Sequence, residues 1–377
     1  MKRVKILHCS DIHFDSPFKE LNKTVSLKRQ EELLEDFKKV IDLVLVEKVE
    51  ILLIAGDFFD NMSLSKATIH FLMNEFSRIM DTYVFISPGN HDPYSKKSFY
   101  KILNWPKNVY VFTGPMESVV IDKLSVTIWG CAFNDRYSKE TLLKKVEVDD
   151  KYINIMIIHG QVCKRGGSSE YNPIYLENIE ESKMNYVALG HEHAFSGILR
   201  IGEVAYSYSG CLSGRGFDET GAKGVIIGYI YEKGVDLKFI PLSKREYVIR
   251  EIYLQNSNTY DDIKNQIVAS INEEDRKKNI YKIILKGYVK EYFILNEEIL
   301  YEKLKDDFYY IKIENDTNVE IDLNKTANDY SLKGKYILKM LEILNECKNE
   351  EEKDIVNLAL KLGVQCFSDQ EVKLDEY

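Results

Sequence analysis

Seven histidines occur in this 377-residue chain, and five of them lie in short polar motifs suited to metal chemistry. The motifs are Asp11-Ile12-His13, Gly89-Asn90-His91-Asp92, His159-Gly160 and Gly190-His191-Glu192-His193. A carboxylate motif, Gly56-Asp57-Phe58-Phe59-Asp60, joins them. Imidazole nitrogen with carboxylate and amide oxygen suits Mn, Fe or Zn, and the lack of thiolate argues against a structural zinc. Asp11 and His13, two positions apart, can point to one side and hold one ion. Asp57 is the natural bridge, because one carboxylate can offer an oxygen to each of two metals. Asn90, His159 and His191 can complete the second ion, and His193 can return to the first. Two ions about 3.5–4 Å apart would acidify a water between them and clamp phosphate oxygens.

Such residues act together only if the fold brings them together. Each motif follows an apolar run. Val4–His8 precedes Asp11 and His13, and the continuous run Ile51–Ala55, patterned like a strand buried on both faces, precedes Asp57. Tyr83–Ser87 precedes Asn90 and His91, Ile153–Ile158 precedes His159, and Tyr186–Leu189 precedes His191 and His193. Between the first three runs, Leu27–Lys48 and Leu64–Met80 have helical spacing. Further strand-like runs are Val126–Trp129, Val204–Ser207 and Val225–Tyr231. The pattern predicts a layered α/β sandwich with its site at the carboxyl edge of the strands.

A boundary is expected near residue 245, which makes 1–245 the catalytic domain. Beyond it the pattern predicts strand Tyr247–Leu254, helix Tyr260–Lys278, strand Tyr281–Val289, helix Glu297–Asp306 and strand Tyr309–Ile313. That order suggests a small α+β cap over 246–325. Residues 326–377 read as a C-terminal helical segment, with Leu332, Tyr336, Ile337, Met340, Leu341 and Leu344 on one face and Ile355, Leu358, Ala359 and Leu362 on another.

The bulk numbers narrow the class. A hydrophobic fraction of 45% is that of a globular protein. The net charge is −9, and residues 246–377 carry 28 acidic and 19 basic side chains against 32 of each in residues 1–245. A globally basic nucleic-acid binder would not look like this. Metals can anchor phosphates without a basic surface, so nucleic acid stays open as a substrate. The six cysteines are scattered without a CxxC pair, which predicts reduced thiols in a cytoplasm. Residues 1–5 start like a signal peptide, but His8 and Asp11 interrupt the apolar segment, and no run approaches the ~18 apolar residues of a membrane span. No GxxxxGK[ST] pattern occurs, so the chain supplies no ATPase of its own.

Taken in order, D-x-H, G-D-x-x-D, G-N-H-D, H and G-H-x-H resemble the calcineurin-like metallophosphoesterase pattern over about residues 1–240. The opening run His8–Phe18 (HCSDIHFDSPF) and the Gly190–His193 box resemble the Mre11/SbcD-like nucleases. Gly214–Gly224 (GRGFDETGAKG) resembles the YhaO-type subgroup of that branch. The resemblance implies a two-metal-dependent DNA exonuclease of DNA repair, with Mn²⁺ first and Fe, Zn or Mg as alternatives. It also implies a Rad50/SbcC-like coiled-coil ATPase partner and a homodimer. The C-terminal helices read equally as a docking segment for that partner or as packing on the chain's own cap. By the same resemblance His91 is no ligand: it meets the phosphate and protonates the leaving oxygen, with Asp92 a candidate to orient it.

Other residues are open to two readings. Arg215 is a candidate phosphate contact or a salt-bridge partner. Asp15 and Ser16 are candidates for the site floor or phosphate entry, and Asp60 either supports the site or caps a helix. Lys164–Ser169 reads as a basic loop beside the site. His8, His70 and Cys9 read as structural. Two other functions fit the same metal box: a phosphodiesterase or phosphatase of small nucleotides, and a DNA-end or ATPase-binding scaffold with residual nuclease activity.

Overall fold

A computed structural model describes residues 2–61, 64–255, 257, 259–290, 293, 295–320 and 326–367. Their contacts divide the chain into two compact units. One comprises residues 1–250, 272–282 and 305–312, and the other 251–271, 283–304 and 313–377.

The first unit is built on two six-stranded sheets. The first sheet contains β1 (Arg3–Cys9), β2 (Ile51–Ile54), β3 (Tyr83–Ile86) and β4 (Val109–Val111), all parallel, with β13 (Gly224–Tyr231) and β14 (Val235–Pro241) antiparallel beyond β1. The second contains β6 (Val126–Gly130), β7 (Ile153–His159), β10 (Tyr186–Gly190) and β12 (Val204–Tyr208), also parallel. Its antiparallel edges are β5 (Glu117–Ile121) and β11 (Leu199–Ile201).

Strand periodicity decides which side chains meet. In β7, Ile155 and Ile157 point between the sheets with Ile6, Leu53, Phe85 and Ala188, while Met156 and Ile158 point out toward Ile174, Ile179 and Leu189. On the outer face of the first sheet, Leu7, Leu52, Ile54 and Val84 receive two helices. The first, Lys23–Glu47, buries Leu33, Phe37, Val40, Ile41 and Val44, and Asn22 caps its start by accepting from the Val25 amide at 3.0 Å. The second, Lys66–Arg78, buries Leu72 and Phe76 behind the Ser65 cap. The expected sandwich is therefore present: α/β, with sheets flanked by helices.

In-register parallel pairing brings the strand ends level. Cys9 pairs with Ile54, Ile54 with Ile86, and Gly190 with His159. The loops that follow β1, β2, β3, β7 and β10 thus open on one edge.

Beyond residue 245, the expected helix Tyr260–Lys278 is two helices, Tyr260–Ala269 and Glu273–Lys278. Asn272 interrupts it, because its side chain accepts from the Asp275 amide at 2.8 Å and starts a new helix. Strands Tyr247–Leu254, Ile280–Lys290, Tyr310–Asn315 and Asn318–Glu320 make a third sheet. Helices Leu332–Glu346 and Glu350–Cys366 in the second unit pack on each other through Ile337, Leu360 and Val364. Among the described residues, no helix is long and apolar enough to cross a membrane.

Candidate metal centre

The five loops converge. Asp11 follows β1, and its backbone N–H donates to Gly56 O at 3.0 Å, while the His13 N–H donates to Asp57 O at 2.9 Å. The two ligand loops therefore zip together before any metal is considered. The zip requires unusual backbone: Asp11, His13 and Asp57 all have φ near +50°, and His191 has φ 117°. Left-handed conformations at non-glycine residues carry strain and gather at functional sites. Close packing of the sheets also requires glycine at 190, where an added Cβ would lie 1.7 Å from the Ala55 carbonyl oxygen and 2.9 Å from His159 Nδ1.

At the centre Asp57 Oδ2 lies between two imidazoles, 3.7 Å from His13 Nε2 and 3.5 Å from His159 Nε2. Its other oxygen accepts from the His91 backbone N–H at 2.9 Å. Asp11 accepts from the His191 N–H at 3.1 Å, and its Oδ1 lies 3.7 Å from His193 Nε2. Asp11, His13 and His193 thus cluster closely enough to hold one ion, and Asp11, Asp57 and His159 form a second such group. Asn90 Oδ1 approaches His159 Nε2 at 3.0 Å, and the His191 ring stands 5.3 Å from that of His159.

The donor set fits cations. Both ring nitrogens of His13 are buried and lack a hydrogen bond among the described residues. The Ala55 carbonyl can only accept, so it assigns the proton of His159 to Nδ1, 3.0 Å away. The lone pair on His159 Nε2 then faces two further acceptors, Asn90 Oδ1 and Asp57 Oδ2. Converging lone pairs repel unless a positive charge sits among them. Burial keeps three of the imidazoles neutral and ready to ligate: it lowers the pKa of His13 and His159, and that of His191 to about 3. At His193 burial is outweighed by the Glu219 hydrogen bond and the Asp11 charge, which raise its pKa. Burial likewise raises the pKa of Asp11 and Asp57 against the counteracting histidines, and ions would relieve that penalty.

His91 lines the cleft, its Nδ1 donating to the Asp60 carbonyl at 3.1 Å. The expected partner, Asp92, does not touch that ring. Its buried carboxylate instead accepts from the Phe59 N–H at 3.0 Å, the Gly89 N–H at 2.8 Å and the Tyr100 hydroxyl. Asp92 thereby pins the loops that carry Asp57 and His91. Burial and the nearby Asp57 charge push its pKa up to about 6 despite these bonds.

Arg215 is drawn in as a salt-bridge partner. Its guanidinium donates to Glu219 Oε1 at 2.8 Å and to Asp60 Oδ1 at 3.1 Å, and it does not line the cleft. Asp60 supports the site, 3.4 Å from His13 Nδ1; the neighbouring helix is capped by Ser65. Asp15 secures that helix, accepting from the Ser65 N–H and the Thr68 hydroxyl. Ser16 is buried, its carbonyl accepting from Gln30, and is not part of the cleft wall. Lys164–Ser169 belong to the loop between β8 (Gln161–Cys163) and β9 (Pro173–Tyr175), with a tight turn at Lys164–Gly167, and none of them lines the cleft. His8 is structural: it accepts from the Tyr186 hydroxyl and donates to Leu189 O.

The cleft, about 520 Å³, is lined by Asp57, Asn90, His91, His191 and His193 together with Tyr171, Asp218, Glu219 and Lys223. None of the last four stands out in the sequence as a candidate site residue. Tyr171 lies in no motif, whereas Asp218, Glu219 and Lys223 all lie inside the Gly214–Gly224 run, and Glu219 stands four residues after Arg215.

Comparison with known proteins agrees with this geometry. Residues 4–195, just over half of the chain, match the calcineurin-like phosphoesterase family. The chain is 27% identical over 243 residues to the uncharacterized metallophosphoesterase YhaO of Bacillus subtilis, covering 62% of this chain and 59% of YhaO. It is 23% identical over 350 residues to the DNA double-strand break repair protein Mre11 of Methanocaldococcus jannaschii (86% of this chain, 91% of that protein). With the SbcD component of the SbcCD nuclease of Staphylococcus saprophyticus it shares 26% identity over 296 residues (70% of this chain, 74% of that protein). The chain belongs to the calcineurin-like phosphoesterase family, a family of dinuclear metal centres, and its relatives support the Mre11/SbcD-like branch.

Proposed function

We propose that this protein is a two-metal-dependent phosphodiesterase that acts as a DNA exonuclease in DNA repair. The observation that carries the reading is the convergence of lone pairs around Asp57 Oδ2, beside a His13 ring whose nitrogens make no hydrogen bond among the described residues. Asp11, His13, Asp57 and His193 would hold one ion; Asp57, Asn90, His159 and His191 would hold the other. Bound divalent ions, Mn²⁺ first, would polarise the phosphate and acidify the attacking water. The chain's own residues do the rest. His91 has its Nδ1 proton committed to the Asp60 carbonyl, so as imidazolium it presents Nε2–H to a leaving oxygen in the cleft. Asp92 and Tyr100 hold its loop. The names of two relatives, a double-strand break repair protein and a nuclease component, support DNA as the substrate.

On this reading residues 1–245 are the catalytic domain, 246–325 a cap and 326–377 a helical segment that docks a Rad50/SbcC-like ATPase in the cytoplasm. The direct test is Mn²⁺-dependent release of mononucleotides from linear single- and double-stranded DNA, run beside bis(p-nitrophenyl) phosphate and a nucleotide panel. Turnover of the small esters with none of DNA would overturn the nuclease assignment and leave a small-nucleotide phosphodiesterase.

A further inference from the structure

We infer that Glu219 is a positioning residue that fixes the His193 ring so that Nε2, and not Nδ1, meets the ion held with Asp11 and His13. The inference rests on the two-metal reading above. At 28%, the His193 side chain is far more exposed than those of Asp11 and His13, which are wholly buried, so packing alone holds its ring less firmly. Its Nδ1 lies 2.8 Å from Glu219 Oε1, while its Nε2 faces Asp11 Oδ1 at 3.7 Å and the ring stands edge-on to His13 at 5.4 Å. Arg215 Nη2 lies 3.3 Å from Nδ1 and 3.5 Å from Nε2, nearly equidistant, so it singles out neither nitrogen, and the much shorter Glu219 contact decides. A carboxylate can only accept, so it places the ring proton on Nδ1 and leaves the Nε2 lone pair aimed at Asp11 and His13. Partners of this kind set both the tautomer and the orientation of a ligating histidine.

Glu219 is suited to the task because it is itself held. It is 5% exposed, and it accepts from the Arg215 backbone N–H at 2.9 Å and from Arg215 Nε at 3.2 Å and Nη2 at 2.8 Å. Arg215 is anchored at its far end on Asp60, whose own carboxylate faces His13 Nδ1. The bracket Glu219–Arg215–Asp60 therefore spans from His193 round to His13. Lys223 completes the hold on the backbone, its Nζ donating to the His193 carbonyl at 2.8 Å.

The test uses the full-length protein with Glu219→Ala, Glu219→Asp and Arg215→Met. Two readouts are taken: Mn²⁺ binding by titration calorimetry, and the His193 tautomer in chelated protein by long-range ¹H–¹⁵N NMR, followed to alkaline pH where the ring is neutral. Glu219→Ala is expected to weaken one of two Mn²⁺ ions by about 10–100-fold and to move the His193 proton from Nδ1 to Nε2. Glu219→Asp should restore part of both, and Arg215→Met, which keeps the acceptor, should keep the tautomer. If Glu219→Ala does not fold, the double variant Arg215→Met/Glu219→Leu removes the acceptor without leaving a buried arginine unpaired, and it should show the same loss. An unchanged tautomer with unchanged affinity for both ions in the acceptor-free variant would overturn the inference. A wild-type protein that binds fewer than two ions would instead overturn the two-metal reading, and the tautomer measured in chelator would still decide the Glu219 contact.

Discussion

Replacing His13 with phenylalanine should raise the stability of the chelated protein and lower that of the metal-loaded protein relative to wild type. His13 is wholly buried, and neither ring nitrogen has a hydrogen bond among the described residues. Burial first, then the charge of Arg215, keeps the ring neutral, so it presents one orphaned N–H and one orphaned lone pair. Each orphan costs about 1–3 kcal/mol. Phenylalanine removes both and retains the edge contacts to His91 and His193, whose ring centroids lie 4.8 and 5.4 Å away. Fitting the larger ring takes back about 1–3 kcal/mol. The midpoints leave a gain of about 2 kcal/mol, or about 4–8 °C in Tm for a unit of this size. With ion at 1,000 times its Kd, wild type gains about 4.1 kcal/mol that the variant lacks, and the order reverses. The assay is thermal unfolding of both proteins in EDTA and in excess Mn²⁺. If His13→Phe melts below wild type in EDTA and Mn²⁺ shifts both equally, the idea that the His13 nitrogens await a metal is wrong.

Three further outcomes are expected. His91→Asn should lower kcat on a phosphodiester by roughly 10²–10⁴-fold while metal analysis still finds two ions; full activity would remove His91 from the proton transfer. Asp92→Ala leaves the Phe59 and Gly89 amides and the Tyr100 hydroxyl without their acceptor, so urea unfolding should show a loss on the order of 3 kcal/mol. A variant as stable as wild type would mean that these bonds do not secure the loop. Glu32 is buried in the first long helix, which would raise its pKa, but hydrogen bonds and charge from Arg29 and Arg245 outweigh this and lower it. Its contribution is thus complete above the ordinary glutamate pKa of about 4.3 and is lost as pH falls through the lower folded value. Glu32→Gln should therefore flatten the acid limb of a stability–pH curve, and an unchanged limb would count against the coupling.

Much of the site was legible because ligand chemistry is local. Asp11 and His13, Asp57, Asn90, His159, and His191 with His193 each sit directly after an apolar run, and each run is a strand. Helix interiors were legible for the same reason, since the face carrying Leu33, Phe37, Val40, Ile41 and Val44 recurs at helical spacing. The break at Asn272 was not, because a capping side chain competes with a periodicity that continues through it.

Residue order alone determined the family, the strand–loop grammar and the candidate ligand set, since all three reside in short contiguous stretches. Only the tertiary structure decided who partners whom. Asp92 stands beside His91 in the chain, yet its carboxylate turns to Phe59, Gly89 and Tyr100, while the His91 ring is held by the carbonyl of Asp60, 31 residues away. Arg215, a candidate phosphate contact by type, is consumed by Glu219 and Asp60, and Glu219 in turn holds His193. Hydrogen bonds depend on direction and on distances near 3 Å. Those are set by how two sheets align their strand ends, and no local pattern of residues encodes that.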